Sequence, residues 1–311
     1  MNFEYIKCHG SGNEFVMVDA VKYNLDGIDL AELARVVCDR NSSVGADGVL
    51  LLVEEGGMFG MRMFNPDGSE AEMCGNGIRC VARLAEGYVE NDRFDMFSGG
   101  NIYHITREKD IYPAIPTYGV DLTVRLVSDD FGFAKGAEQF VAEPIERLDQ
   151  ALLWTAINVG NPHIVAEVDE IDYEHLARLG NRVLELQEEF PKGINVSLVK
   201  HLDESRIFVA TYERGAGITA SCGTAMTSSA TAMALNGRCR YEDIIEVENR
   251  GGAVRCVCYK EGGLHTRLIG NASFISYGRI SVENEDILCV ELGEYTNEIE
   301  LYNDFLRAKT E

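Results

Sequence analysis

Hydrophobic and polar positions along the chain follow two rhythms. Short apolar runs such as Glu14–Asp19 (EFVMVD), Gly48–Val53 (GVLLLV) and Met61–Phe64 (MRMF) predict strands. Between them Leu30–Cys38 (LAELARVVC) spaces its apolar residues as a helix does. A polar, glycine-containing loop, FNPDGSEAEM, then leads to Gly77–Gly87, rich in Ala, Leu and Arg, which predicts a second helix with Gly87 as its stop signal. The same order returns later. Strand His163–Val168, helix Tyr173–Leu184, strands Ile194–Val199 and Ile207–Tyr212, loop YERGAGITAS and helix Thr224–Asn236 follow one another, with Asn236-Gly237 as the stop. Many strands with few β-α-β alternations predict an α/β (α+β) chain of mixed or antiparallel sheets wrapped on a helix.

The two series are one series repeated. Gly12-Asn13 recurs as Gly160-Asn161, Gly45 and Asp47 as Gly193 and Asn195, Met61–Asn65 as Val209–Glu213, and Cys74-Gly75 as Cys222-Gly223, each pair 148 positions apart. Beyond the cysteines the match continues with a small slip, Gly99-Gly100 answering Gly251-Gly252. A constant offset over such a stretch implies two copies of one fold. The expected domains are residues 1–125, joined by 271–282, and residues 126–270. Residues 283–311 have no counterpart; with nine acidic and two basic residues they form an acidic tail, expected as an appendage with a short helix over 297–306.

Composition narrows the function. In 311 residues, Lys+Arg 28 against Asp+Glu 51 gives a net charge of −23, which disfavours nucleic acid and anionic membrane surfaces as partners. No stretch approaches a membrane span and MNFEYIKCHG lacks a secretory core, so a soluble cytoplasmic protein is expected. Nine cysteines is an odd number for a bridged secreted framework and reads as reduced thiols. Cys256-Val257-Cys258 lacks partners at metal-finger spacing, and strand alternation points both sulfurs to one face, so no metal site is expected.

Cys74 and Cys222 are the only cysteines at equivalent positions of the repeat. Each stands at a predicted helix start, where unpaired N–H groups and the helix dipole favour an anion and are expected to lower a thiol pKa. The same N–H groups can hold a carboxylate. Two such halves facing each other would put a sulfur on either side of one α-carbon, the geometry of a two-base racemase. A structural thiol at a turn, or a disulfide switch between the two, is the plainer alternative.

At these residues the chain resembles the diaminopimelate epimerase family, cofactor-independent amino-acid epimerases. The matching segments are HGSGNEFVMVD (His9–Asp19), GADGVLLL (Gly45–Leu52), MRMFNPDGSEAEMCGNGIRC (Met61–Cys80), NVGNPHIV (Asn158–Val165), FPKGINV (Phe190–Val196) and YERGAGITASCGT (Tyr212–Thr224). They span about residues 5–280 in the family's order. The resemblance implies two pseudo-symmetric domains, each a sheet rolled around a central helix, with the active site between them. It implies interconversion of LL- and meso-diaminopimelate on the route to lysine and peptidoglycan precursors, without pyridoxal phosphate or any other cofactor. The family's catalytic pair falls on Cys74 and Cys222. Backbone amides of Gly75-Asn76 and Gly223-Thr224 are then expected to hold the reacting carboxylate, and Asn13, Asn65, Asn161, Asn195 and Arg214 to contact substrate, with Arg214 on the distal carboxylate. Glu213 is expected to take the α-ammonium and, with His163, to tune the thiols.

Taken singly, these residues have structural readings too. Asn13, Asn65 and Asn161 adjoin Gly or Pro and Asn195 follows Gly193, so all four could build turns; His163 could be a buried structural histidine and Glu213-Arg214 a surface pair. The chain also departs from the family pattern. Ile218 stands where Glu is common, Ala225-Met226 where Gly-Ala is usual, Gly48 where many members carry Gln, and Ser276 where an aromatic often makes the contact of a homodimer. The competing functions are racemisation of another amino acid, such as histidine, by the same thiols, and a non-catalytic protein that cycles between thiol and disulfide.

Overall fold

The computed structural model describes residues 1–41, 43–127, 129–283 and 286–310. The chain divides into two compact units, Met1–Val120 with Ile269–Glu311, and Asp121–Leu268. The first unit opens with strands β1 (Asn2–Gly10) and β2 (Asn13–Asp19), helix α1 (Leu30–Cys38), and strands β3 (Val49–Glu55), β4 (Met58–Phe64) and the short β5 (Glu70–Ala71). Helix α2 (Gly75–Ala85) and strands β6 (Arg93–Ser98), β7 (Asn101–Glu108) and β8 (Thr117–Thr123) complete this series, β8 running into the second unit.

The second unit holds β9 (Glu143–Ile145), β10 (Asp149–Asn158), β11 (Pro162–Glu167), α3 (Tyr173–Glu185), β12 (Asn195–Asp203), β13 (Arg206–Glu213) and β14 (Gly217–Ile218). Then come α4 (Gly223–Leu235), β15 (Ile244–Asn249), β16 (Gly252–Tyr259) and β17 (His265–Asn271), which carries the chain back. Pairing is the same in both series. The chain runs antiparallel from β1 to β2, parallel from β2 to β3, antiparallel from β3 to β4, parallel from β4 to β6 and antiparallel from β6 to β7. Strands β10, β11, β12, β13, β15 and β16 repeat that sequence of orientations. The turns Ser98–Asn101 and Asn249–Gly252 close equivalent hairpins, so the slip after the helices is from 148 to 151, one less than the glycine pairs indicate.

Mixed sheets covered on both faces explain the uninterrupted apolar runs. On β3, Val49 and Leu51 join the core under α1, whereas Leu50 meets the first turn of α2 at Gly77. Helices α1 and α3 bury a single stripe, Leu33, Ala34, Val37 and Cys38 on one and Leu176, Leu179, Gly180 and Val183 on the other. Asp29 and Asp172 cap them by accepting from Glu32 N and from Glu174 N and His175 N, worth about 1 kcal/mol each. Helix α4 is different. All of it except Leu235 is buried, so it is the central helix of its unit. Two of its hydroxyls turn back on the helix, Thr227 donating to Gly223 O and Thr231 to Thr227 O, which lets these polar residues sit inside the sheet.

Loop glycines at equivalent positions take the left-handed conformation, Gly12 and Gly160 at φ 80 and 111, and Gly45 and Gly193 at φ 73 and 70. Gly237 does so behind α4, but Gly87 does not behind α2, where Glu86 N and Gly87 N bond back to Ala82 O and Leu84 O.

The tail is not an appendage. Strand β18 (Ser273–Glu283) pairs with β1 on one side and with β19 (Asp286–Glu294) on the other, and α5 (Thr296–Thr310) follows. Ile287 and Cys289 of β19 pack on the first unit's core, and Tyr302 and Phe305 of α5 are buried. Positions 284, 285 and 311 of the tail lie outside the described residues. Among the described residues no helix is long and apolar enough to cross a membrane.

Candidate active site

Both repeated cysteines are N-caps. Cys74 precedes α2 with φ −140 and ψ 112, Cys222 precedes α4 with φ −133 and ψ 112, and neither helix has an acidic residue in its first turn. Each helix start therefore keeps its positive end uncompensated, with the N–H groups of Gly75 and Asn76, or of Gly223 and Thr224, lacking intrahelical partners.

In the first unit, Cys74 Sγ accepts from Gly77 N at 3.3 Å and lies 4.0 Å from Asn13 Oδ1. Asn76, 1% exposed, donates to the same Oδ1 at 3.3 Å. Asn13 is thus beside the thiol, and not only a turn former. Asn65 does what turn chemistry asks. Its N–H donates to Ser69 O, its side chain to Ser69 Oγ at 3.0 Å, and it lies in the same loop as Cys74.

In the second unit, Cys222 Sγ touches Thr224 Oγ1 at 3.4 Å and hydrogen-bonds Glu213, whose carboxylate also accepts from Thr219 Oγ1. His163 is fully buried, with Nε2 on Asn161 Oδ1 at 3.0 Å and Nδ1 without a partner among the described residues. Burial, helped by the Arg214 cation, lowers its pKa to about 3, so the ring is neutral at any physiological pH. Asn195 links this group: its side chain donates to Pro162 O at 3.1 Å and accepts from Arg214 N at 2.9 Å. The exposed Arg214 guanidinium donates to Lys192 O at 2.9 Å, and no carboxylate is within ion-pair reach of it among the described residues. Glu213 and Arg214 are therefore not a surface pair, and the guanidinium keeps donors for an anionic ligand.

The expectation of a lowered thiol pKa fails at Cys222. Burial, then the negative charge of Glu213, pushes this thiol well above its usual value, although Thr224 and the N–H of Ala225 pull the other way. Desolvation of the charged form outweighs the helix start. Cys256 and Cys258 do share a buried face, and Cys258 contacts the hydroxyls of Thr231 and Thr266.

Two residues of the site were passed over in the sequence. Asp47 holds the Asn13 side-chain amide at 2.8 Å, and the fully buried Arg79 of α2 holds Asn76 Oδ1 at 3.0 Å. Asp47 stands in the repeat opposite an asparagine, which was a signal; Arg79 shares its helix face with Asn76 and Arg83 and gave none.

Against known proteins, residues 5–111 and 155–275 match the family described as diaminopimelate epimerase. The diaminopimelate epimerase of Clostridium acetobutylicum is 34% identical over 308 residues, covering 96% of this chain and 92% of that protein. That of Listeria monocytogenes is 35% identical over 313 residues, covering 94% and 92%. Among solved structures, a Bacillus anthracis phenazine biosynthesis protein of the PhzF family superposes with TM-score 0.66 at 16% identity, covering 91% of this chain and 100% of that one. A hydroxyproline epimerase from Agrobacterium vitis gives 0.64 at 12% identity and 92% of each chain. These two share the fold alone; the sequence relatives define an isomerase. This chain belongs to the diaminopimelate epimerase family.

Proposed function

We propose that the chain interconverts LL- and meso-2,6-diaminopimelate by a two-base thiol mechanism, without pyridoxal phosphate or metal. The observation that carries the reading is the duplicated N-cap, a cysteine with the same backbone angles at the start of each unit's inner helix. One sulfur, as thiolate, takes the α-proton and becomes a thiol; the other, as thiol, gives its proton to the opposite face of the carbanion and becomes a thiolate. Which of Cys74 and Cys222 acts first depends on the direction of reaction. The amides of Gly75-Asn76 and Gly223-Thr224 hold the α-carboxylate and stabilise the charge that builds as the proton leaves.

Glu213 binds the α-ammonium and faces Cys222, while Arg214 takes the distal carboxylate with Asn13, Asn65, Asn161 and Asn195 around the substrate. The neutral His163 contributes polarity and not charge. A cytoplasmic protein with no nucleic-acid partner fits the charge of −23, and the family's homodimer is part of the proposal.

The test is deuterium incorporation at Cα. Reduced protein in D2O is incubated with LL-diaminopimelate and, separately, with L-histidine and L-glutamate. Exchange with diaminopimelate alone is expected. Exchange only with another amino acid overturns the substrate, and none at all favours the thiol-disulfide reading. Cys74→Ala and Cys222→Ala should each abolish epimerisation; full activity in either one ends the two-base mechanism.

A further inference from the structure

Around Cys74 the hydrogen bonds form a chain with a charge at each end. Arg79 is 0% exposed, and its guanidinium fits where Gly10 and Gly270 leave room, since a Cβ at either would come within 2.9 Å of Nη2. It donates to Asn76 Oδ1 at 3.0 Å; Asn76 Nδ2 donates to Asn13 Oδ1 at 3.3 Å; Asn13 Nδ2 donates to Asp47 Oδ2 at 2.8 Å. A guanidinium can only donate and a carboxylate can only accept. With the ends fixed, neither amide can be flipped without setting donor against donor or acceptor against acceptor. Asp47 is itself held, through Arg40 on Oδ1 at 2.8 Å and Glu14 N on Oδ2 at 2.9 Å.

We propose that Arg79 and Asp47 are positioning residues that fix the amides of Asn76 and Asn13, so that Asn13 turns its oxygen, and not its NH2, toward the sulfur of Cys74. An oxygen there accepts the thiol hydrogen and keeps it on sulfur, whereas an NH2 would support the thiolate. Among the described residues the second unit has no such chain. The positions equivalent to Asp47 and Arg79 are Asn195 and Thr227, both neutral, and its thiol faces the carboxylate of Glu213 instead. The two sulfurs of a duplicated site are thus set by different means, an oriented amide for Cys74 and a charged group for Cys222. This rests on Cys74 being the reacting thiol of the proposed function, but its test does not require turnover.

Native protein is alkylated with iodoacetamide across a pH series and the Cys74 peptide is quantified by mass spectrometry. The charged or titratable groups joined to this hydrogen-bond chain are Arg79, Asp47, Arg40 and Glu14, with Lys7 on Glu14 and His9 on Gly12 N beside Asn13, so variants are compared at each pH with all but one of them intact. Asp47→Ala removes the acceptor that Asn13 Nδ2 needs and leaves only the 3.3 Å bond from Asn76 to hold the amide; Asn13 then turns its NH2 to the sulfur in part of the molecules, and Cys74 should react about threefold faster near pH 7.5. Asp47→Asn removes the charge but keeps an acceptor for Asn13 and should stay within about twofold of the parent. An unchanged rate in Asp47→Ala, or Asp47→Asn reacting as fast as Asp47→Ala, overturns the proposal.

Labelling of the buried Cys8 and Cys80 would show that Asp47→Ala has opened the fold. Asn13→Ala then decides by sign: faster alkylation of Cys74 supports an oxygen facing the sulfur, and equal or slower alkylation overturns it. Because no substrate is present, absence of diaminopimelate exchange would refute the function and leave this test standing.

Discussion

Removing the carboxylate of Glu298 should detach the tail from the helix that carries Cys74. Arg83 of α2 donates to both oxygens of Glu298 at 2.7 Å, stacks over the Phe274 ring at 3.6 Å and donates to Ala272 O, while Glu298 also accepts Phe274 N at 2.9 Å. The side chains are 17% and 18% exposed. Burial works against the Arg83 charge, and Glu298 more than offsets it, leaving the guanidinium above its usual pKa. Breaking such a pair from one side costs about 3–5 kcal/mol when fully buried, so with this exposure about 3 kcal/mol is expected for Glu298→Ala. That corresponds to a fall in Tm of roughly 6–12 °C. Urea unfolding followed by circular dichroism measures it, and the singles Arg83→Met and Glu298→Leu with their double variant form a double-mutant cycle. The double variant should lose at least about 1.5 kcal/mol less than the sum of the singles, because two apolar groups leave no buried charge unpaired. A loss below about 0.5 kcal/mol for Glu298→Ala would refute the assignment of the tail to the first unit's core.

Glu213→Gln removes the charge that, after burial, raises the Cys222 thiol, so Cys222 should alkylate faster at a given pH even as epimerisation falls; slower alkylation contradicts the electrostatic assignment. Arg214→Lys keeps the charge but loses the planar fork, and should raise KM for diaminopimelate about tenfold with little change in kcat; an unchanged KM removes Arg214 from the distal carboxylate. His163, with a folded pKa of about 3, binds fewer protons than in the unfolded chain between that value and the ordinary histidine value of 6.5. Its contribution is therefore present above pH 6.5 and lost as pH falls toward 3, and His163→Asn should reduce the pH slope of the unfolding free energy in that window by about one proton. An unaltered slope would mean that the ring is not held neutral by burial.

How much of this was legible depended on whether a signal was local. The apolar runs Gly48–Val53 and Ile194–Val199 were legible because helices cover both faces of the strands they fall in, Val49–Glu55 and Asn195–Asp203, so that no polar alternation interrupts them. The tail was misread because its acidity hid a strand: in DILCVELGE, Ile287 and Cys289 turn inward while Leu288, Val290 and Leu292 stay exposed. Gly87, read as a stop, does stand directly behind the C-cap Glu86, but without the left-handed φ that Gly237 takes behind α4. Arg79 was passed over because a charge in the middle of a motif reads as surface unless its partners are known. Those partners, at Ser11, Gly75, Asn76 and Asn271, come from three separate stretches of chain.

The thiols illustrate why a helix start alone does not set reactivity. Cys74 and Cys222 have matching backbone angles and equivalent dipoles, so any difference between them comes from what surrounds the sulfur. At Cys222 burial and Glu213 overcome the dipole and keep the proton on sulfur. Such a thiol becomes a useful base only when something cancels the Glu213 charge, and the α-ammonium of an amino acid is a group of the right sign to do so. On the proposed two-base mechanism, binding of an amino acid would activate Cys222 in the direction in which it takes the proton, and without a ligand the sulfur stays protonated, the form less prone to oxidation.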